Sequence, residues 1–449
     1  MTSESSFIIR NYFDNDSGVD YILKNSNLSK EILSEIKQFL SRSLSPHLVG
    51  FSKLSMLAGI TKDSENVTLI PTNDMSKLVI DATKSVISAV SYALRRYKKD
   101  FETNGSIRIS IGDADHHPNK NIVLTIIGQA GSWVYRPRSI STDIFLSNLI
   151  CEFNLQDAFF VPEAGPKRRD YYWQKFVTEN TDNETIDWVA RGKFLCLAQA
   201  CGITDLHSSN IILEKNKIAF FDTETLFQEF PTFREVTVEI EGKTIDSSCT
   251  PLFTGLLPLS RHSKNGSFFD SAYFGKSTPR KNNFCSTRRN VDVEKIVEGL
   301  VFGYEKQASY SNLEDKLGNL VNSSFPLKVR NVLRATETYG NIIEHASTQS
   351  IGKNDGFFRI KTKEILSSNP HIYEKTLRSE VSAITHGCIP FFNKEILSES
   401  AKQIIQKNIS HICDYKAENL KIIARIVETS FLGDESLKPL EHNTQTLRL

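Results

Sequence analysis

Apolar residues recur at helical spacing in two stretches near the start of the chain. Ser29, a residue type that caps helices, precedes a stretch in which Ile32 and Ile36 share one face. A second stretch, residues 76–97, carries a similar stripe and ends in a basic turn that suits the helix dipole. Residues 1–104 are therefore predicted to be mainly helical.

The hydrophobic period then changes to two. Isoleucines alternate with polar residues over 107–111, and a polar turn follows at 112–120. Further strands are predicted at 122–127 and 132–135, and a helix at 142–153. Three antiparallel strands followed by a helix is the order of a kinase small lobe.

The second half of the chain is predicted to be mostly helical. Residues 156–178 read as strand and hinge, a helix is expected over 184–201, and two short strands follow it. Residues 231–290 are rich in loop-forming residues. The later predicted helices are 292–309, 327–347, 373–384, 394–411 and 415–431.

These patterns predict an α+β fold with a kinase-like two-lobe core. A small antiparallel-sheet lobe and a larger helical lobe are expected, with extra helices at both ends. The predicted regions are an N-terminal helical region at 1–104, a small lobe at 105–180 and a large lobe at 181–449.

Composition and charge narrow the class of protein. The formal net charge is +1, from 54 basic and 53 acidic residues, so no nucleic-acid partner is expected. No signal peptide is recognised and the longest apolar runs are too short to span a membrane, which predicts a cytoplasmic protein. The seven cysteines form no CxxC pair, and Cys196 and Cys201 are expected in the core of a reduced protein.

The most informative motif lies between the predicted helix and the two short strands. Asp205 is followed five residues later by Asn210, and Asp222 comes directly after the second strand. Protein kinases use this order of a catalytic Asp, a magnesium-binding Asn and a magnesium-binding Asp. Asp205 is the candidate base or orienter of an attacking hydroxyl, and Asn210 and Asp222 are candidate metal ligands. His207 could hydrogen-bond Asp205 or a phosphate.

Glu224 extends this motif, since it could support the metal or orient Asp222. The alternative interpretation is structural. Asp and Asn form turns readily, so the segment could be a capped loop between a helix and a hairpin.

Candidate phosphate-binding residues precede this motif. Asp113 and His116 lie in the turn after Gly112, where backbone N–H groups and a histidine could replace the missing Gly-rich loop, although a polar hairpin tip has the same composition. Arg136 ends the third strand, where kinases place a lysine, and Arg138 is its nearest basic companion.

A later segment carries a further anion-binding candidate. Arg330 and Arg334 are four residues apart on a predicted helix, and Thr336 lies beside that face. Two arginines on one face could hold a phosphate, whereas such charges are more often solvated.

In these motifs the chain resembles the dehydratase domain of class II lanthipeptide synthetases, the LanM-type enzymes. The resemblance extends over about residues 106–395. It rests on ordered blocks, namely Gly112-Asp113, Val134 to Arg138, Tyr172 to Val177, Arg191-Gly192, Thr204 to Asn210, Asp222 to Phe227, Thr254 to Pro258, Arg330 to Thr336 and Gly387 to Phe392.

The resemblance implies a kinase-like enzyme that uses ATP and Mg²⁺ on a precursor peptide with a leader. Serine and threonine side chains would be phosphorylated, and phosphate would then be eliminated. Asp205, His207 and Asn210 match the family's phosphorylation loop and Asp222 its magnesium ligand, while Arg330 and Thr336 match its elimination pair.

The chain departs from the family pattern at several positions. Arg136 stands in place of the family's lysine, the histidine after Asp113 is shifted, and Cys388 replaces an aspartate. A cyclase region is not recognised, so ring closure would need a separate cyclase. The alternatives are a kinase-like phosphotransferase without elimination and a pseudokinase that binds a leader peptide or partner.

Overall fold

The computed structural model describes most of the chain, with gaps. The described residues are 17–44, 47, 73–112, 117–118, 122–178, 186–207, 210–228, 236–240, 243–246, 250–257, 261–262, 268–269, 292–307, 311–324, 326–331, 333, 336–350, 353, 356–367, 374–414, 424–425, 427 and 439–441.

Helices and short strands alternate along these residues. The helices are α1 Ser17–Lys24, α2 Lys30–Ser43, α3 Asn73–Asp100, α4 Ser141–Glu152, α5 Trp188–Ala200, α6 Val293–Gln307, α7 Ser311–Ser324, α8 Thr336–Gln349, α9 Phe357–Ser367, α10 Glu374–Thr385 and α11 Ser398–Asp414. The strands are β1 Arg108–Ser110, β2 Leu124–Gly128, β3 Gly131–Arg136, β4 Phe159–Phe160, β5 Ala164–Lys167, β6 Tyr172–Lys175, β7 Ile211–Glu214, β8 Lys217–Phe220, β9 Val236–Ile240, β10 Lys243–Asp246, β11 Arg261–His262, β12 Phe268–Phe269, β13 Leu327–Arg330, β14 Asn393–Ile396 and β15 Pro439–Glu441.

The chain divides into two compact units, each assembled from separate segments. The first comprises Met1–Ser139, Glu163–Phe176 and Val332–Phe392, and the second comprises the remaining segments. Across the described helices of both units, none has the length and apolar content that a bilayer-spanning segment needs.

The first unit is built on an antiparallel sheet of order β1-β2-β3-β6-β5, with a register shift in β5. Helix α3 packs on the sheet through a shared core, and Asp100 at its end accepts hydrogen bonds from Tyr171 Oη and Trp173 Nε1, both at 2.9 Å. These two bonds connect the last turn of the helix to the hairpin of β5 and β6.

The second unit contains the small sheet β4-β8-β7, packed on the buried helix α5. Asp187 caps α5, since its carboxylate accepts from the Ala190 N–H at 2.8 Å. The rings of Phe159, Phe194 and Phe220 stack with centroids 4.5–5.6 Å apart, which joins the sheet to the helix.

Helices α5 and α6 approach so closely that only glycine fits between them. A Cβ added to Gly192 would lie 2.1 Å from the Ile296 carbonyl oxygen, and one added to Gly299 would lie 2.0 Å from the Val189 carbonyl oxygen. The glycines therefore fix the position of α5, and the candidate catalytic loop begins directly after this helix.

Many of the predicted elements are found. Ser29 caps α2, with its side chain accepting from the Ile32 N–H, and the strands β1, β2 and β3 form the predicted antiparallel arrangement. Cys196 and Cys201 are fully buried, as expected.

The prediction of a helix over 327–347 is wrong at its start. Residues 327–330 form strand β13, and the helix α8 begins at Thr336. Leu327 and Val329 are buried while Lys328 is exposed, so the local period is two. Arg330 is consequently on a strand, and Arg334 lies outside the described residues. Helices α7 and α9, and strands β9 to β12, β14 and β15, were not predicted.

Candidate functional site

The segments before and after the β7–β8 hairpin lie side by side. The Thr204 N–H donates to the Thr225 carbonyl at 3.1 Å, and the Phe227 N–H donates to the Cys201 carbonyl at 3.0 Å. The Thr225 hydroxyl also donates to the Thr204 carbonyl. The hairpin thus brings the Asp205 loop and the segment after Asp222 together within the second unit.

Asp205 adopts the left-handed backbone conformation, with φ of 66°. Its carbonyl accepts from Asn210 Nδ2 at 2.8 Å, which closes the loop around both residues. The next residue, Leu206, is buried and donates its N–H to the Thr254 carbonyl at 2.9 Å. These hydrogen bonds hold the backbone of the loop in place. The Asp205 carboxylate is partly exposed on the surface of this unit.

His207 lies beside both candidate groups. Its Nε2 is 3.3 Å from Asp205 Oδ1 and also 3.3 Å from Asn210 Nδ2. A protonated Nε2 donates to the carboxylate, whereas an unprotonated Nε2 accepts from the amide. Each tautomer of His207 therefore makes only one of these two hydrogen bonds. Either arrangement orients the Asp205 carboxylate or the Asn210 amide.

Asp222 is positioned by Asn210. The Asn210 carbonyl accepts from the Phe221 N–H at 3.0 Å and from the Asp222 N–H at 3.4 Å. Asp222 Oδ1 in turn accepts from the Glu224 N–H at 3.4 Å. Hydrogen bonds therefore join Asp205, Asn210 and Asp222, through the Asn210 side-chain amide and through main-chain groups.

Arg330 lies next to Glu224. Its N–H donates to the Glu224 carbonyl at 2.7 Å, and its Nη1 is 3.4 Å from Glu224 Oε1. Gln228 Nε2 donates to the Arg330 carbonyl at 2.7 Å, which connects the strand to the same segment. A residue predicted for elimination and a residue predicted for metal binding are thus in contact.

Asp143 is a buried carboxylate that the sequence reasoning missed. It lies in the first turn of α4, and its Oδ1 accepts a hydrogen bond from the Thr223 hydroxyl. Asp143 is 80 positions from Thr223, so no sequence spacing indicates the pair. The only available signal is an acidic residue in the first turn of a predicted helix, which is common.

The candidate phosphate-binding arginines lie in the first unit. Arg136 is the last residue of β3; it is buried, and its Nε donates to Gln174 Oε1 at 3.1 Å. Arg138 donates to the Ser139 carbonyl at 3.2 Å, and its guanidinium lies 5.4 Å from the ring centre of Tyr172. Both positive charges are therefore held by contacts with the sheet or its end.

Three predicted site residues lie wholly or partly outside the residues that the structure describes. Asp113 and His116 lie outside the described residues. Thr336 is the first residue of α8, but its side chain is outside the described part of the chain. The neighbouring His117 Nδ1 is 3.0 Å from the Ile389 carbonyl oxygen, and its ring packs on Phe391.

Asn210, Asp222 and Glu224 carry the side-chain types that could hold a magnesium ion. Within the described ranges, no group of three or more His, Cys, Asp and Glu side chains is placed to hold a metal ion. Asp222 and Glu224 supply carboxylates, and Asn210 supplies an amide oxygen. Magnesium in nucleotide sites commonly uses one or two carboxylates and takes its other ligands from phosphates and water.

The chain matches one family model and is similar to one lactococcal protein. Residues 73–288 match a family model described as "Domain of unknown function (DUF4135)". The chain is also 25% identical over 390 residues to the "Lacticin 481/lactococcin biosynthesis protein LcnDR2" of Lactococcus lactis subsp. lactis. These two matches support the resemblance to LanM-type lanthipeptide synthetases that the motifs indicate.

The extent of the two matches differs. The alignment with the lactococcal protein covers 72% of this chain and 41% of that protein, so the chain spans less than half the length of this relative. The family model includes the Asp205 loop and Asp222 but ends before Arg330.

Proposed function

We propose that this chain catalyses ATP-dependent phosphorylation of Ser and Thr in a precursor peptide, followed by elimination of the phosphate. This is lanthipeptide-type dehydration on a kinase-like fold. The single observation that supports it most is the hydrogen-bonded group of Asp205, Asn210 and Asp222. The relationship to a lanthipeptide biosynthesis protein supports the choice of a peptide substrate.

In the first step, the Asp205 carboxylate accepts the proton of a substrate hydroxyl. The hydroxyl oxygen attacks the γ-phosphorus of ATP, and the bond between that phosphorus and the ADP oxygen breaks. Asn210 and Asp222 would hold Mg²⁺, which supplies charge neutralisation for the phosphates. His207 orients Asp205 through its 3.3 Å contact.

In the second step, a base removes the α-proton of the phosphorylated residue. The Cβ–O bond breaks, a Cα–Cβ double bond forms, and phosphate leaves with the bond electrons. Arg330 would stabilise the charge of the departing phosphate. Its position beside Glu224 keeps this guanidinium next to the group proposed to bind magnesium.

A second candidate function is phosphotransfer without elimination. The Glu224 carboxylate, 3.4 Å from Arg330 Nη1, already neutralises part of the charge that a departing phosphate needs. Arg136 in place of the family's lysine favours the same alternative, because a guanidinium binds phosphate with a different geometry from an ammonium.

The test is to incubate the purified chain with Mg-ATP and a Ser/Thr-containing precursor peptide, and to weigh the peptide. Loss of water supports dehydration, and a retained phosphate supports the second candidate. ATP binding without any change of the peptide would indicate a pseudokinase. Asp205→Asn and Asp157→Asn each replace one carboxylate by an amide, but only the first changes the proposed site. Asp157 is a suitable control because its side chain is fully exposed.

The proposed partners follow from this reaction. The precursor peptide, with its leader, is the proposed substrate, and a cyclase would act on the dehydrated peptide to close the thioether rings. A cytoplasmic location is proposed, since ATP and reduced cysteine thiols are available there.

A further inference from the structure

We infer that Asp143 is a positioning residue that anchors the Asp222–Glu224 turn through the Thr223 hydroxyl. The inference rests on the proposed function for its relevance to metal binding. Thr223 donates to Asp143 Oδ1, and the two residues are 1% and 4% exposed. Water is therefore excluded from this contact. A hydrogen bond to a carboxylate is strong in such a buried environment.

Thr223 lies between the two carboxylates in the sequence. Fixing its side chain restricts the backbone torsions on both sides, and these torsions set the directions of Asp222 and Glu224. Further contacts of the turn include the Glu224 N–H bond to Asp222 Oδ1 and the Arg330 bonds to Glu224. The bond from Thr223 to Asp143 connects the middle of this turn to helix α4.

Helix α4 is a suitable anchor for the turn. Asp143 lies in its first turn, where backbone N–H groups and the helix dipole stabilise a negative charge. The Thr142 hydroxyl, also buried, lies 3.3 Å from the Thr223 hydroxyl and lines the same contact. The core around α4, which includes Phe145 and Leu149, holds the helix in place.

The competing explanation is that Asp143 only stabilises the fold. The two explanations differ in what happens at the turn when the protein remains folded. Asp143→Asn keeps the size of the side chain, Thr223→Val removes the hydroxyl, and Thr223→Ser retains it. Thr83→Val is the matched control, because Thr83 is a fully buried threonine whose hydroxyl bonds within helix α3.

The first measurement is hydrogen–deuterium exchange of the peptide covering residues 222–228, made on the full chain. We expect at least tenfold faster exchange in Thr223→Val, and near-normal exchange in Thr223→Ser and Thr83→Val. A smaller increase is expected in Asp143→Asn, because its amide oxygen can still accept the Thr223 hydroxyl but carries no charge. Unchanged exchange in folded Thr223→Val would overturn the anchoring.

The second measurement is the Mg²⁺ concentration that half-saturates ATP binding. We expect it to rise several-fold in Thr223→Val, with rescue in Thr223→Ser, and to rise less in Asp143→Asn. An unchanged Mg²⁺ requirement despite faster exchange would overturn the positioning role. If the wild-type chain binds no Mg-ATP, the proposed function fails, while the exchange result still decides whether Asp143 anchors the turn.

Discussion

Glu224 and Arg330 are joined by a backbone hydrogen bond of 2.7 Å and by a side-chain ion pair of 3.4 Å. Their side chains are 12% and 13% exposed, so the pair is largely removed from water. The two residues are 106 positions apart in the sequence. The pairing places the candidate residues for two successive chemical steps next to each other.

Replacing Arg330 should separate the two steps. Arg330→Ala removes the charge proposed to stabilise departing phosphate, so we expect phosphorylated peptide to accumulate instead of dehydrated peptide. Mass spectrometry of the peptide after reaction with Mg-ATP measures this directly. Normal dehydration by Arg330→Ala would show that the elimination assignment is wrong.

Arg330→Ala should also lower the free energy of unfolding, and a separate variant controls for this effect. Removing one partner of a buried ion pair can cost about 3–5 kcal/mol, because the remaining charge keeps its desolvation penalty. Since this pair is slightly exposed, we expect less for Arg330→Ala. The double variant Glu224→Gln/Arg330→Gln removes both charges and should unfold at a higher denaturant concentration than Arg330→Ala.

Glu224→Gln tests whether Glu224 binds the metal. The amide retains the size and one oxygen but loses the charge, so we expect the Mg²⁺ requirement for ATP consumption to rise roughly tenfold, about 1.4 kcal/mol. The measurement is a Mg²⁺ titration at fixed ATP. An unchanged titration together with altered elimination would indicate that Glu224 only orients Arg330.

Asp205→Asn should abolish phosphoryl transfer without disturbing the loop. Asparagine tolerates the left-handed backbone, as required at φ of 66°, whereas alanine does so less readily. Loss of a general base lowers the rate by roughly 10²–10⁴-fold. The rate of ATP consumption in the presence of peptide measures this, with Asp157→Asn as control. A rate near that of the wild type would exclude Asp205 as the base.

The part of the site that could be predicted from the sequence is the part encoded locally. Asp205, Asn210 and Asp222 surround one hairpin, so their spacing alone implies proximity. The Glu224–Arg330 and Thr223–Asp143 contacts depend on tertiary packing between distant segments, and no local period indicates them. The misassigned helix at 327–330 shows the same limit, because a four-residue strand is too short to outweigh the helical pattern around it.

The close approach of α5 and α6 predicts a strong effect of a single methyl group. Gly192→Ala and Gly299→Ala would each press a Cβ into backbone of the facing helix, so we expect a loss of at least about 1–3 kcal/mol in the free energy of unfolding. Gly318→Ala in α7 is the matched control, since nothing lies within 4 Å of its added Cβ. That change should stabilise the protein by about 0.5–1 kcal/mol, through helix propensity.

The buried cysteines should resist alkylation in the folded protein. Burial raises the pKa of the Cys388 thiol to about 12 and raises that of Cys201 further, whereas Cys151 is exposed. Because the thiolate is the reactive form, we expect iodoacetamide to modify Cys151 before Cys201 and Cys388 between pH 7 and 9, and to modify the latter two only after unfolding.

The same shifts set the sign of a pH effect on stability. A thiol whose folded pKa is raised stabilises the folded state fully below its ordinary value of 9.0, and this contribution is lost as pH rises from there toward about 12 for Cys388. Cys388→Ala should therefore make the free energy of unfolding less sensitive to pH in that window, as measured by denaturant titration. Fast alkylation of Cys388 in the native protein at pH 8 would contradict the burial of this thiol.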